Sequence, residues 1–113
     1  MKPEEILAES LFLGGDGGIN GGANFYPKLY VDLYNAAQKN EWDTVKKLHS
    51  KVINISTTIY SIGKFGSSYL KGIKTTLYHM GICNDFIAEP FHCFSDPEKK
   101  KLRTELIKLN IIK

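Results

Sequence analysis

The 113-residue sequence predicts a mostly α fold, a bundle of about five helices with at most one or two short strands. Apolar residues recur at steps of three and four along five segments, and helix-starting or helix-stopping residues bracket those segments. Hydrophobic residues make up 42% and charged residues 24%, which is globular usage and excludes intrinsic disorder, collagen-like repeats and coiled-coil rods. The length fits one domain with its own core.

The first helix and a glycine-rich stretch open the chain. Pro3-Glu4-Glu5 begins the helix, because proline and acids suit a first turn, and Gly14-Gly15 ends it. The apolar side of this helix carries Ile6, Leu7, Leu11 and Leu13. The stretch 14–24, GGDGGINGGAN, predicts tight turns and a possible strand over Gly17–Asn20.

The second and third helices follow from helical periodicity. Pro27 begins the second, which Lys39-Asn40 closes. Its apolar residues are Leu29, Val31, Leu33, Tyr34 and Ala37. The third runs from Glu41 or Trp42 to Ser61 with Gly63 as its stop, and the β-branched run 52–58 leaves a strand as the alternative. Its apolar residues are Val45, Leu48, Val52, Ile55, Ile59 and Ile62.

The fourth and fifth helices carry local start and stop signals. Ser67 or Ser68 can cap the fourth helix, and Gly81 ends it. The apolar linker 82–94 is expected to pack on other elements. Ser95 and Glu98 have the spacing of a capping box at the start of the fifth helix, which ends near Asn110.

Charge and cysteine usage narrow the class of protein. Fourteen lysines and one arginine against twelve acids leave a net charge of +3, too small and scattered to predict a nucleic-acid partner. No run approaches the ~20 apolar residues of a membrane span, and the acidic start MKPEEILAES differs from a secretory signal. Cys83 and Cys93 fit no CxxC motif and are interpreted as reduced thiols. We therefore expect a soluble, unexported, cytoplasmic chain with no membrane partner.

The glycine-rich stretch is the first candidate for chemistry. Its backbone N–H groups could cradle a phosphate, but it lacks both the Gly-Lys-Ser/Thr end of a P-loop and GxGxxG spacing. A tight-turn connection is therefore preferred to a nucleotide site. Asp16 could be a catalytic acid or a metal ligand, although one carboxylate between glycines is more often a turn residue.

Histidines and lysines supply the other candidates. His49, His79 and His92 lie on separate elements, and Gly81 separates His79 from Cys83 at the i, i+4 offset, so no metal site is expected. Lys71 and Lys74 follow Tyr60 and Tyr69, and either lysine could form a Schiff base if buried. Exposed helix lysines are the commoner alternative.

Four segments together resemble the dihydrodipicolinate synthase and N-acetylneuraminate lyase family. They are LGGDGGINGGANFYP (13–27), LYNAAQKNEWDTVKKLHSK (33–51), YLKGIKTTLYHMGI (69–82) and PFHCFSDPEKKKL (90–102). Their order and spacing are similar to the C-terminal portion of that family along nearly the whole chain. KGIKTTLYHMG looks closer to the sialic-acid branch than to the synthase branch, whose Asn-Pro pair is absent here.

The resemblance implies a fold and a chemistry. The family has a (β/α)₈ barrel with a C-terminal helical extension, and a barrel lysine forms a Schiff base with pyruvate or a related keto acid. By this comparison, residues 1–40 look like a remnant of the final β/α units and residues 41–113 like the three-helix extension. A complete barrel takes about 250 residues, so most of it is missing from this chain.

The resemblance also implies what each residue can do. The Schiff-base lysine, tyrosine relay and threonine pair lie on earlier strands, so no catalytic residue, metal or cofactor is expected here. Gly18, Ile19 and Gly21 would bind substrate only in a completed barrel, and Glu4-Glu5 resembles the end of the GxDE-type motif. We therefore expect a C-terminal portion of a lyase that takes pyruvate or another keto acid only when a barrel completes it, and that is inactive alone.

A stand-alone association module without catalysis is the alternative. Helices that bury one face against a barrel sheet would otherwise expose it, which predicts self-association into a homo-oligomer.

Overall fold

The structure is a computed structural model that describes residues 4–62, 68–89 and 92–112. Short 3₁₀ turns lie at Glu4–Ile6 and Gly21–Asn24. The five α-helices are α1 (Leu7–Phe12), α2 (Pro27–Gln38), α3 (Trp42–Ile59), α4 (Ser68–His79) and α5 (Asp96–Lys108). The mostly α prediction is confirmed.

The possible strand over Gly17–Asn20 does not form. Asn20 has an extended backbone, with φ −110° and ψ 127°, but the described residues contain no β-ladder. A strand needs a neighbouring strand to satisfy its backbone N–H and C=O groups. No other strand lies within 4–62, 68–89 and 92–112 to pair with this segment.

Two compact units make up the chain, Met1–Asn54 and Ile55–Lys113. The division falls within α3, which belongs to both units. The predicted boundary after residue 40 separates the part that resembles a barrel remnant from the part that resembles the helical extension. It makes no statement about packing, and it stays a prediction. Within the described residues, no helix combines the length and the apolar character that a bilayer span requires.

The first unit packs α1, α2 and the first part of α3 around an apolar core. Gly14 adopts a φ of 97° after α1, and Asn40 a φ of 58° between α2 and α3, so both predicted helix stops are confirmed. The predicted apolar sides are only partly buried, because Leu13 lies beyond the end of a short helix and Val31 on the outer side of α2. The core residues are Leu7, Leu11, Phe25, Leu29, Tyr30, Leu33, Ala36, Ala37, Val45 and Val52.

The second unit contains the end of α3 with α4 and α5. The β-branched run 52–58 is helical, so the strand alternative is wrong. Gly81 has a φ of 79° and ends α4 as predicted, whereas Gly63 and Ser67 lie outside the described residues. The core residues are Ile55, Ile59, Ile62, Ile73, Phe94, Leu102 and Leu106.

The start of α5 and the linker before it differ in how well they were predicted. Ser95 and Glu98 form the predicted capping box, in which the Ser95 backbone N–H donates to Glu98 Oε1 at 3.0 Å. In the linker only part of the expected packing occurs: Phe94 is buried, but Ile82 is 61% and Phe86 70% exposed.

Candidate functional site

The glycine-rich stretch is shaped by close packing against α2. A Cβ atom added at Gly22 would lie 2.0 Å from the Tyr30 hydroxyl oxygen, so only glycine fits beneath this buried ring. The Tyr26 backbone N–H donates to the Gly22 carbonyl at 2.8 Å, which closes the turn before α2. The glycine-rich stretch is therefore a loop that packs closely against α2.

A cavity of about 340 Å³ lies between this loop and α2, within the first unit. We call it the glycine-loop cavity. Its walls are backbone, aliphatic side chains, the Asn20 carboxamide and two tyrosines, with no amine, carboxylate or imidazole among the residues described there. Such a cavity can hold and orient a small molecule but offers no amine to attack a carbonyl. Its lining is Leu7, Gly17, Gly18, Asn20, Ala23, Pro27, Tyr30, Val31 and Tyr34.

The three residues predicted to bind substrate occupy different positions. Gly18 lines the glycine-loop cavity, whereas Ile19 is 83% exposed and outside its lining. Gly21 begins the 3₁₀ turn, and its carbonyl accepts a hydrogen bond from Asn24 Nδ2 at 2.9 Å. The structure therefore brings only Gly18 to the cavity, and substrate binding by the three residues stays a prediction.

Two tyrosines of the cavity were missed by the sequence reasoning. Tyr30 and Tyr34 both line it, and they lie four residues apart on α2. Residues at i and i+4 share one helix face, so this spacing was the available signal.

Asp16 borders a different cavity, of about 380 Å³, formed by the end of α1, the end of α2 and the start of α3. It is exposed, and no second acid or histidine lines that cavity. No group of three metal-ligating side chains occurs within the described parts of the chain. One carboxylate alone does not make a metal centre.

The histidines and cysteines do not converge. His49 Nε2 lies 3.7 Å from Glu9 Oε1, and His79 Nε2 lies 3.0 Å from the Lys99 carbonyl oxygen. His92 is exposed, and Cys83 and Cys93 are free, exposed thiols.

Neither candidate lysine lies beside the glycine-loop cavity. Lys71 Nζ lies 5.9 Å from the centroid of the Phe94 ring, and Lys74 is half-buried on α4. Both belong to the second unit, whereas the cavity belongs to the first. No lysine is among the described residues that line that cavity.

An ion pair joins the linker to the first turn of α5. Lys99 Nζ contacts Asp85 Oδ2, and both side chains are about four-fifths buried, at 22% and 19% exposure. The hydrogen bond from the Lys99 ammonium lowers the pKa of Asp85, and the same bond raises the pKa of Lys99. The pair ties the linker to α5.

Comparison with known proteins gives matches along nearly the whole chain. The model of the dihydrodipicolinate synthetase family matches residues 3–109. A 4-hydroxy-tetrahydrodipicolinate synthase of Chloroherpeton thalassium is 30% identical over 96% of this chain and 34% of its own length. N-acetylneuraminate lyase 2 of Escherichia coli is 33% identical over 94% of this chain and 32% of its own length.

A solved structure agrees in fold and in sequence. Dihydrodipicolinate synthase from Bacteroides thetaiotaomicron superposes with a TM-score of 0.91 and 52% identity over 95% of this chain and 36% of that one. The chain thus resembles the helical C-terminal portion that a group of related synthases and lyases share. It belongs to the dihydrodipicolinate synthetase family, and it spans about a third of the length of the relatives it matches.

Proposed function

We propose that this chain is the C-terminal part of a lyase that makes or breaks a carbon–carbon bond at pyruvate or another keto acid. The chain supplies the glycine-loop cavity as one wall of the substrate site, and a barrel supplies the rest. Gly18 offers its backbone to the substrate, and Ile19 and Gly21 meet it once the barrel is complete. No cofactor enters this proposal, and the exposed thiols of Cys83 and Cys93 suit a reducing cytoplasm.

The observation that carries the proposal is the chemical character of the cavity wall. A Schiff base forms when an amine attacks the substrate carbonyl and water leaves, so an unprotonated lysine must lie within reach of the carbonyl carbon. The described lining of the glycine-loop cavity contains no lysine. The wall positions a substrate, and the reacting amine comes from another part of the site. The chain alone is therefore expected to be inactive.

Borohydride trapping tests this directly. The purified chain is incubated with pyruvate and borohydride, and its intact mass and peptides are measured beside a complete family member as positive control. We expect no adduct on the chain and one adduct per subunit on the control. An adduct on a single lysine, such as Lys71 or Lys74, would show an autonomous site and contradict the proposal.

A chimera tests whether this chain can complete a substrate site together with a barrel. This chain replaces the 36% of the Bacteroides thetaiotaomicron synthase that it matches. We expect the chimera to trap pyruvate on a lysine of the synthase part, whereas the same synthase part without the chain does not. A folded chimera that traps nothing would mean that this chain does not complete the site.

An association module without catalysis is the second candidate, favoured by exposed apolar side chains. In the first unit Phe12 is 67%, Leu13 82% and Val31 55% exposed. Groups of exposed apolar side chains mark interaction surfaces. The genomic sequence upstream of the reading frame discriminates the candidates: an encoded barrel favours the lyase, and its absence favours the module.

A further inference from the structure

A polar cavity lies where the end of α1, the end of α2 and the start of α3 meet, within the first unit. It has a volume of about 380 Å³, and we call it the helix-end cavity. Phe12 and Gln38, the last residues of α1 and α2, line it together with Trp42, the first residue of α3. Of the residues in its lining, Tyr34 alone also lines the glycine-loop cavity, so the two cavities can bind different molecules. The volume suits a small organic molecule rather than a single bare ion.

The backbone at the ends of the two helices supplies hydrogen-bond acceptors and partial negative charge. The turns after α1 and α2 provide N–H donors for the carbonyls of residues 9–11 and 35–37, but no described backbone N–H donates to the carbonyl of Phe12 or Gln38. Aligned peptide dipoles place about half a negative charge at the C-terminal end of a helix such as α2. Neither helix carries a basic residue in its last turn, and Lys39, which follows α2, is exposed and outside the lining. This end of the unit therefore favours a cation.

The side chains of the lining have the same electrostatic sign. Asp16 carries the one formal charge among them, and it has no ion pair within the part of the chain that the structure describes. Gln38 and Asn40 add carboxamide oxygens, and no lysine, arginine or histidine lines the cavity. A carboxylate and several neutral oxygen acceptors together select a cation that donates hydrogen bonds.

We propose that the helix-end cavity binds a small primary aliphatic amine in its ammonium form. An ammonium group has three N–H donors and no acceptor, so Asp16 accepts one hydrogen bond and the oxygen atoms at the end of α2 accept the others. The aromatic residues of the lining, Phe12, Tyr34 and Trp42, pack against the alkyl chain. A divalent metal ion needs more than the one carboxylate present here, and a quaternary ammonium has no N–H to donate. This inference is independent of both candidate functions.

Titration of the full chain with butylamine at neutral pH tests the binding. Trp42 is the single tryptophan of the sequence and lines the cavity, so its fluorescence reports on the site, and calorimetry measures the same equilibrium. We expect saturable binding at millimolar concentrations. Tetramethylammonium has the charge without an N–H group, and butan-1-ol has the chain without the charge, so each should bind at least about tenfold more weakly. Absence of saturable butylamine binding, or equal binding of the three probes, would overturn the proposal.

Two substitutions locate the site. Asp16→Asn should weaken butylamine binding at least about tenfold, because it removes the charged acceptor and keeps the side-chain shape. Asp43→Asn is the matched control, since Asp43 is an exposed acid next to Trp42 in the chain but outside the lining. Gln38→Lys should also weaken binding at least about tenfold, because its own ammonium takes the place of the ligand. Asn35→Lys, at an exposed position of α2 outside the lining, is its control.

Circular dichroism checks that all four variants fold. Butylamine affinity that survives Asp16→Asn or Gln38→Lys, or that falls equally in the matched controls, would show that the ammonium does not occupy the helix-end cavity. None of these outcomes bears on the trapping experiment or on self-association of the chain.

Discussion

At the scale of single residues, the Asp85–Lys99 pair shows how one ion pair can organise an irregular segment. The described residues of the linker before α5 form no helix or strand, and its Ile82 and Phe86 are exposed. The ion pair from Asp85, early in the linker, and the 3.0 Å distance from His79 Nε2, at the end of α4, both reach Lys99 of α5. Lys99 Nζ also lies 5.6 Å from the centroid of the Tyr78 ring. These contacts make the first turn of α5 the anchor of the linker.

The lowered pKa of Asp85 predicts an acid-dependent loss of stability. In the unfolded chain Asp85 returns to its ordinary pKa of 3.8, so the unfolded state binds the proton more tightly than the folded state. The stabilisation is therefore complete at neutral pH and is lost as the pH falls below about 4, through the lower pKa of the folded state. Asp85→Asn should lower the free energy of unfolding at pH 7 by about 1 kcal/mol and lessen its decline in acid.

Urea unfolding between pH 7 and pH 3 measures this effect. Asp16→Asn is the matched control, because Asp16 is exposed and has no ion pair among the described residues. A variant at Asp85 with the wild-type pH profile would mean that the pair contributes nothing to folding.

At the scale of elements, α4 shows how a glycine can serve packing rather than flexibility. Gly72 lies in the middle of a helix, where glycine normally costs stability relative to alanine. A Cβ atom at this position would lie 2.9 Å from the Ile59 carbonyl oxygen and 3.1 Å from Ile59 Cγ2. The glycine therefore allows α4 to approach the end of α3 closely, and the buried Thr76 donates its hydroxyl to the Gly72 carbonyl at 2.7 Å.

Gly72→Ala should therefore destabilise the protein despite the higher helix propensity of alanine. The added methyl meets backbone, which cannot swing aside, and we expect a loss of about 2 kcal/mol in the free energy of unfolding. Leu70→Ala, at a 45% exposed position of the same helix, is the control and should cost less. Thermal and urea unfolding compare the two variants, and a Gly72→Ala protein of equal or higher stability would disprove the close approach.

At the scale of the whole molecule, the chain folds around cores while leaving apolar positions uncovered. The family match spans residues 3–109, but the chain covers only about a third of its relatives. Val31 is 55% exposed on α2 and also lines the glycine-loop cavity. A barrel would cover such a position, which makes Val31 a test of the lyase proposal.

Val31→Asp should affect the chimera but not the chain alone. In the isolated chain the aspartate stays in water, so the free energy of unfolding should change by no more than about 0.5 kcal/mol. In the chimera the same carboxylate would be buried beside the barrel and should abolish pyruvate trapping or folding. Asn35→Asp adds the same charge at an exposed position of α2 and serves as control. Equal behaviour of both variants in the chimera would mean that the barrel does not cover Val31.

Local patterns in the amino-acid sequence were enough to predict the five helices, several of their ends and the family. Periodicity, the capping box of Ser95 and Glu98, and the stops at Gly14 and Gly81 act over a few residues, so local patterns are enough to predict them. The four sequence segments identified the family for the same reason, since each can be recognised without knowing what it contacts in the fold.

Which surfaces are covered and which side chains meet depends on how the helices pack. Three features depend on residues that are separated in the sequence and are brought together, or left uncovered, by the fold. They are the fit of Gly22 beneath Tyr30, the exposure of Leu13 and the pairing of Asp85 with Lys99. The strand predicted over Gly17–Asn20 failed for the same reason. A β-ladder needs a second strand, and the pattern within one segment cannot show whether a second strand lies beside it. Burial and pairing are properties of the packed chain, whereas helix formation is largely a property of its short stretches.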